Sequence, residues 1–242
     1  MGKVCVSCGA RSDSEKETRY CIRCGAIDSF VDRVTAPGYA APHKGPVLLA
    51  SLLSGLIPVT NLGGCWDKIG PIGHPCQFLI WGPAGAGKTY WTLDLCERLA
   101  KLWGSALYCS SDESITGLSF RNKVADLEIT RTHGIPGRWM EITEELNDNP
   151  GWGRGVVAID TINRSDITSP QELGAFTNSI GCSFIAVAEA VKDATDFAGS
   201  AQFRHWADVV VHVYREETKQ ILSLDKNRFG GLGFLKTKDL EK

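Results

Sequence analysis

The chain has 242 residues, a formal net charge of −2 at pH 7 and 22% charged residues. That length holds one full α/β core plus a small accessory, since domains usually run roughly 50 to 250 residues. The near-neutral balance excludes a surface coated in positive charge, so any nucleic-acid contact has to be a local groove or ring lining.

Residues 1–33 are polar, short of large apolar side chains and unable to fold on hydrophobic burial alone. They carry two CxxCG knuckles, Cys5-Val6-Ser7-Cys8-Gly9 and Cys21-Ile22-Arg23-Cys24-Gly25. Two thiolate pairs at this spacing fit one tetrahedral Zn²⁺, held by Cys5, Cys8, Cys21 and Cys24, with no position left open for catalysis. Such an ion is structural and supplies the folding energy the segment lacks. A redox dithiol is the rival reading of the same residues. The other five cysteines, Cys65, Cys76, Cys96, Cys109 and Cys182, are scattered through apolar segments, which is not a secreted disulfide framework. No charged leader precedes an apolar stretch, and no run approaches the ~20 apolar residues that cross a bilayer. A soluble, cytoplasmic protein without a membrane partner is expected.

Residues 34–46 are rich in Ala, Pro, Gly and His and read as a semi-extended linker. The main domain is expected over 47–242, opening with a short helix from Val47 to Leu56 and a Gly- and Pro-rich stretch from Asn61 to Pro75. Apolar strands are expected at Gln77–Trp81, Ser105–Cys109, Gly155–Ile159, Ser183–Ala188 and Asp208–Tyr214. Helical patterns lie between them at Thr89–Trp103, Ile115–Leu127 and Gln171–Ile180. This alternation predicts an α/β fold with a mostly parallel central sheet covered on both faces. Gln220–Asp225 and Gly233–Leu235 are expected as antiparallel strands at its edge.

The segment Gly82-Pro83-Ala84-Gly85-Ala86-Gly87-Lys88-Thr89 satisfies GxxxxGK[ST] between a strand and a helix. Glycines let backbone N–H groups face phosphates, Lys88 brings charge to the β and γ phosphates, and Thr89 offers a hydroxyl to Mg²⁺. The loop, with Tyr90 after it, is the expected ATP contact. Asp160 closes the apolar run Val156-Val157-Ala158-Ile159 and is the expected second Mg²⁺ group; a carboxylate there also suits a helix N-cap before Thr161-Ile162-Asn163. The strand Leu107-Tyr108-Cys109 runs into Ser110-Ser111-Asp112-Glu113-Ser114. Either Asp112 or Glu113 is the candidate to orient an attacking water, and an acidic first turn of a helix near Ser114 is the alternative.

The order of these parts resembles the RadA (Sms) family, zinc-ribbon relatives of RecA in recombinational DNA repair. The resemblance is carried by the CxxC pairs, Ile57-Pro58-Val59-Thr60-Asn61-Leu62-Gly63-Gly64, the loop Gly82 to Thr89, Ser111-Asp112-Glu113-Ser114, the Asp160 strand and the KNRFG signature Lys226-Asn227-Arg228-Phe229-Gly230. It implies a RecA-like P-loop core preceded by a zinc ribbon. It also implies a DNA-stimulated ATPase that assembles as a ring, such as a hexamer, or a filament, and remodels or branch-migrates recombination intermediates on single-stranded or branched DNA. Only Gly231 to Lys242 follow KNRFG, so the family's C-terminal protease-like domain is not in this sequence, as in short phage-type forms.

By the same resemblance Lys226 and Arg228 reach a neighbouring subunit's γ phosphate; they show no evident partner within one subunit's site, which implies assembly. A DNA contact or a plain basic turn are the other readings of that pair. The loops after Asp160 and after Glu189 would face the ring channel, making Asn163, Arg164 and Lys192, and less directly Arg204, candidate DNA contacts. Two departures stand out. Asp112 replaces the family's first glutamate, and Glu189 replaces a polar sensor. They lend weight to a second reading, a nucleotide-dependent adaptor or loader for a replicative helicase or recombinase.

Overall fold

A computed structural model of the chain describes residues 3–5, 11–12, 30–32, 61–137, 139–148, 155–165, 167, 169–191, 196–199, 201–230 and 233–239. The chain forms two compact units, Met1–Ile57 and Pro58–Lys242. The first contains a small antiparallel sheet of β1 (Lys3–Cys5), β2 (Arg11–Ser12) and β3 (Phe30–Asp32), in the order β2-β1-β3. Cys5 ends β1 opposite Phe30. Cys8, Cys21 and Cys24, the expected linker and the expected helix from Val47 lie outside the described residues.

The second unit is an eight-stranded sheet with helices on both faces. Its strands are β4 (Gln77–Gly82), β5 (Ala106–Ser110), β6 (Thr132–Pro136), β7 (Val156–Asp160), β8 (Ser183–Glu189), β9 (Val209–Glu216), β10 (Lys219–Asn227) and β11 (Gly233–Asp239). The spatial order is β11-β10-β9-β4-β8-β7-β5-β6. The six strands from β9 to β6 run parallel, and β10 and β11 return antiparallel at one edge. The connecting helices are α1 (Lys88–Trp103), α2 (Leu118–Asp126), α3 (Trp139–Asp148), α4 (Pro170–Ile180) and α5 (Gln202–Trp206). Among the described residues no helix is long and apolar enough to cross a membrane.

Central strands alternate side chains between two apolar cores, which is why they read as unbroken apolar runs. Phe78, Ile80, Tyr108, Val156 and Ala158 face α1 with Leu95 and Leu99. Leu79, Trp81, Leu107, Val157 and Ile159 face the opposite side, where Ile142, Leu173 and Phe203 cover them. Local chemistry sets several boundaries. Ser169, Pro170 and Glu172 start α4 with a reciprocal capping box, and Gly181 ends it in the left-handed region. The helix expected from Ile115 starts instead at Leu118, because Gly117 is extended (ψ 151°) and its N–H closes a turn onto the Ser114 carbonyl.

Three elements carry too little pattern to be anticipated. β6 is Thr132-His133-Gly134-Ile135-Pro136, largely solvent-facing, and gains its place by pairing with β5. The buried carboxylate of Glu97 on α1 also holds its start, accepting bonds from Thr130 Oγ1 (2.7 Å), the Arg131 N–H (2.9 Å) and Thr132 Oγ1 (3.1 Å). α3 follows β6, and α5 is a single short turn.

Candidate functional site

The GxxxxGK[ST] loop joins the end of β4 to α1 at the carboxyl edge of the parallel strands, where open α/β sheets collect ligands. Glycine is required at two of its positions by close approach. A Cβ on Gly82 would stand 1.9 Å from the Val213 carbonyl oxygen. Gly87 has φ 100° and lies against the Gln220 side-chain amide, whose Nε2 donates to the Ala86 carbonyl. Gln220, buried on β10, therefore braces the loop from a strand 134 positions away in sequence. The loop opens into the N-terminus of α1, whose free N–H groups and dipole favour an anion.

Lys88, the first residue of α1, donates from Nζ to the carbonyls of Gly82 and Pro83, at 3.0 Å each. Burial lowers its pKa, opposed by the negative charges of Asp160, Glu189 and Asp112 in that order. Thr89 Oγ1 donates to Asp160 Oδ2 at 2.7 Å. The same oxygen accepts the Tyr108 hydroxyl at 2.5 Å. Burial raises the Asp160 pKa, while the bonds from Tyr108 and Thr89 and the charge of Lys88 hold it down. Asp160 is not the helix cap of the following turn: that role falls to Thr161, whose Oγ1 accepts the Asn163 N–H at 3.1 Å. The hydroxyl and carboxylate brought together here are hard oxygen donors of the kind Mg²⁺ takes, so the residues fit that ion.

The turn after β5 is stitched to the end of β7 by Ser111. Its N–H donates to the Asp160 carbonyl at 2.7 Å, and its Oγ receives the Thr161 N–H at 2.9 Å. The two carboxylates beyond it diverge. Asp112 forms an ion pair with Arg164 and acts on the charges of both Lys88 and Asp160. Glu113 turns to Lys123 on α2, with Nζ to Oε2 at 2.5 Å. Neither belongs to a helix first turn, since α2 begins at Leu118 with no acidic residue there. Asn163 ties the loop after β7 to the segment after β8: its Oδ1 accepts the Glu189 N–H at 2.8 Å, and its Nδ2 donates to the Ala198 carbonyl.

Other expected site residues lie elsewhere. The Tyr90 hydroxyl donates to Asp126 at the end of α2 (2.7 Å). Arg204 pairs with Asp196 (2.7 Å), and its guanidinium lies 5.7 Å from the ring centroids of both Trp81 and Phe197. Lys192 lies outside the described residues.

The expectation that Lys226 and Arg228 have no partner within one subunit is wrong. Lys226 Nζ donates to the carbonyls of Arg204 (2.7 Å), His205 (3.0 Å) and Ala207 (2.5 Å) at the end of α5. Arg228 pairs with Asp208 (2.8 Å) and donates to the His205 carbonyl (2.9 Å). Asn227 and Phe229 complete the turn through Asn227 Nδ2 on the Ile69 carbonyl and Oδ1 on the Phe229 N–H, both at 3.0 Å.

On the far side of the loop, Pro83 to Ala86 form one wall of an open cleft of roughly 460 Å³, faced by His212, Tyr214 and Arg215 of β9. His212 stacks flat on Trp81, with centroids 3.7 Å apart and planes within 5°.

Of these groups, sequence reasoning missed Tyr108, Ser111, Gln220 and His212. Tyr108 left one signal: a phenol in an otherwise apolar strand needs a partner for its hydroxyl.

No family model and no curated relative matches the sequence. Among solved structures, the ATPase domain of a helicase is similar, with a TM-score of 0.54 at 12% identity, covering 79% of this chain and 95% of that one. The likeness shows the fold, an α/β domain whose mostly parallel sheet is consistent with a RecA-like core.

Proposed function

We propose that the chain is an ATP-hydrolysing, DNA-binding motor of the RecA-like class, of the RadA type in its arrangement of motifs. The observation that carries this reading is the convergence of Lys88, Thr89 and Asp160 at the mouth of the phosphate loop. Loop N–H groups and Lys88 bind the phosphates, and the cleft beside Pro83 to Ala86 has room for base and ribose against Tyr214 and His212. Thr89 and Asp160 would hold Mg²⁺, which when bound neutralises charge on the β and γ phosphates. Asp112, rather than Glu113, orients the attacking water, since Asp112 acts on Lys88 and Asp160 whereas Glu113 is drawn away to Lys123.

Lys226 and Arg228 act in trans. Through β9, Lys226 is level with Leu79 of β4, and Arg228 lies beside Asp208 at the level of Gln77. From Gln77 to Gly82 the strand rises ~16 Å at ~3.3 Å per residue, farther than an arginine side chain extends. Only a second copy of the chain, in a ring or filament, brings these charges to a γ phosphate.

Single-stranded DNA is the partner this reading favours. The loops after β7 and β8 that would meet it are joined through Asn163 to the backbone of Glu189, and through Arg164 to Asp112, so strand binding bears on hydrolysis. The cysteine knuckles hold a structural Zn²⁺, testable by metal content before and after a Cys8→Ser exchange. An adaptor or loader role is the second reading, favoured by the engagement of Asp112, Lys226 and Arg228 within the chain. The deciding experiment is steady-state ATP hydrolysis with and without single-stranded DNA. Several-fold stimulation supports the motor, whereas unstimulated, near-background turnover with intact nucleotide binding supports the adaptor and overturns the motor.

A further inference from the structure

Tyr108 occupies the middle of β5, directly opposite Ala158 of β7, and is wholly shielded from solvent. Its ring rests on Phe120 of α2, with centroids 5.6 Å apart. Its hydroxyl and that of Thr89 both donate to Oδ2 of Asp160, at 2.5 and 2.7 Å. The two donors differ in freedom. Thr89 is the second residue of α1, at the open mouth of the loop, and a rotation of its χ1 turns the hydroxyl toward bound ligand. Tyr108 is fixed by strand pairing on both sides of β5 and by the packed ring beneath it, so its hydroxyl has nowhere else to go.

We propose that Tyr108 is a positioning residue for the magnesium–nucleotide complex: it keeps Asp160 aimed when the Thr89 hydroxyl leaves that carboxylate for the cation. A carboxylate buried to this degree and left with no donor would reorient or recruit another partner, and the cation would lose a preorganised ligand. The inference rests on the ATP-site reading above and adds to it a residue outside the loop and outside the acidic strand end.

The test is Tyr108→Phe, which removes one oxygen and keeps the ring. Binding of a fluorescent ADP analogue is measured in EDTA and across a magnesium titration, alongside the kcat and KM for ATP. The expected result is nucleotide affinity in EDTA within about twofold of the parent, with half-saturating magnesium raised roughly tenfold, the scale of a lost hydrogen bond to a charged group. The kcat should fall and the KM for ATP change little at saturating magnesium.

An unchanged magnesium requirement, even with a lowered melting temperature, would make Tyr108 a packing residue and overturn the proposal while leaving the ATP site intact. If the parent chain itself shows no magnesium-dependent gain in nucleotide affinity, both readings fall. Should Tyr108→Phe not fold, Phe120→Leu takes its place, since it keeps the hydroxyl but withdraws the ring's support. A smaller shift in the same direction is expected, and none would count against the proposal.

Discussion

Two lysines at opposite edges of one sheet do the same thing with different consequences. At the carboxyl edge, Lys88 donates to the carbonyls of Gly82 and Pro83; at the amino edge, Lys226 donates to three carbonyls that end α5. Around Lys88 the neighbouring charges are carboxylates, Asp160, Glu189 and Asp112, and its carbonyl contacts belong to the loop itself. Around Lys226 the nearest cation is Arg228, which together with burial lowers the Lys226 pKa while Asp208 offsets it. Lys88 therefore sits in a site short of positive charge, and Lys226 in one with cations to spare. A cluster of carboxylates gains from a bound cation and its nucleotide, and paired cations gain from an added phosphate. The two edges are complementary half-sites that no single copy can bring together.

The largest effects should come from separating those halves by substitution. Lys88→Ala should weaken nucleotide binding and cut hydrolysis on the order of a hundredfold or more, as for loss of a charge-stabilising donor. Lys226→Ala with Arg228→Ala should leave nucleotide affinity near the parent value yet lower turnover on the order of a thousandfold, in the range of a trans-acting finger. Isothermal binding beside an ATPase assay separates the two patterns; weakened nucleotide binding in the amino-edge variant would assign that edge to the chain's own site.

Next in size is the contrast between the two adjacent carboxylates. Asp112→Asn should reduce turnover on the order of a hundredfold, and Glu113→Gln less than about threefold, with the Lys123 pair lost and nucleotide affinity unchanged in both. A reversed order would place the water-orienting group on the wrong side of the turn.

The smallest effect is on stability against pH at the cleft wall. Burial lowers the His212 pKa from its ordinary 6.5, with Arg204 assisting and Asp225 opposing. Its Nε2 is buried without a hydrogen-bond partner among the described residues. The unfolded chain thus binds this proton at a higher pH than the folded one. The resulting stability is fully present above about pH 6.5 and is lost as pH falls through the folded-state value. His212→Phe keeps the stack on Trp81 and should flatten the decline in melting temperature between pH 7 and pH 5. An identical decline in both chains would show that His212 carries none of it.

What was readable in the residues and what was not divides along the same two edges. The loop, Asp160 and the carboxylate pair are each a short contiguous segment ending an apolar strand, so pattern and position together exposed them. Asp160 carried a second reading as a helix cap, and only the geometry passes that task to Thr161. The partners of Lys226 were invisible because they are backbone carbonyls at the end of α5, about 20 positions earlier, in a five-residue helix too short to leave a periodic signature. Tyr108 and Gln220 reach their targets through strand order, which no local window encodes: β5 lies beside β7, and β10 carries Gln220 back beneath the loop. β6 and α3 escaped for a simpler reason, the absence of an apolar run in an edge strand and the helix after it.

The most direct test of complementary half-sites is to mix two inactive chains. Lys88→Ala lacks a working loop but keeps Lys226 and Arg228; the Lys226→Ala, Arg228→Ala chain keeps the loop but lacks both cations. Combined at equal concentration in a head-to-tail assembly, roughly one interface in four should pair an intact loop with an intact cation pair. ATP hydrolysis is expected to return to about that share of the parent rate in the mixture, while neither chain alone recovers. A mixture as inactive as its components, at concentrations where the parent is assembled and active, would contradict the half-site arrangement.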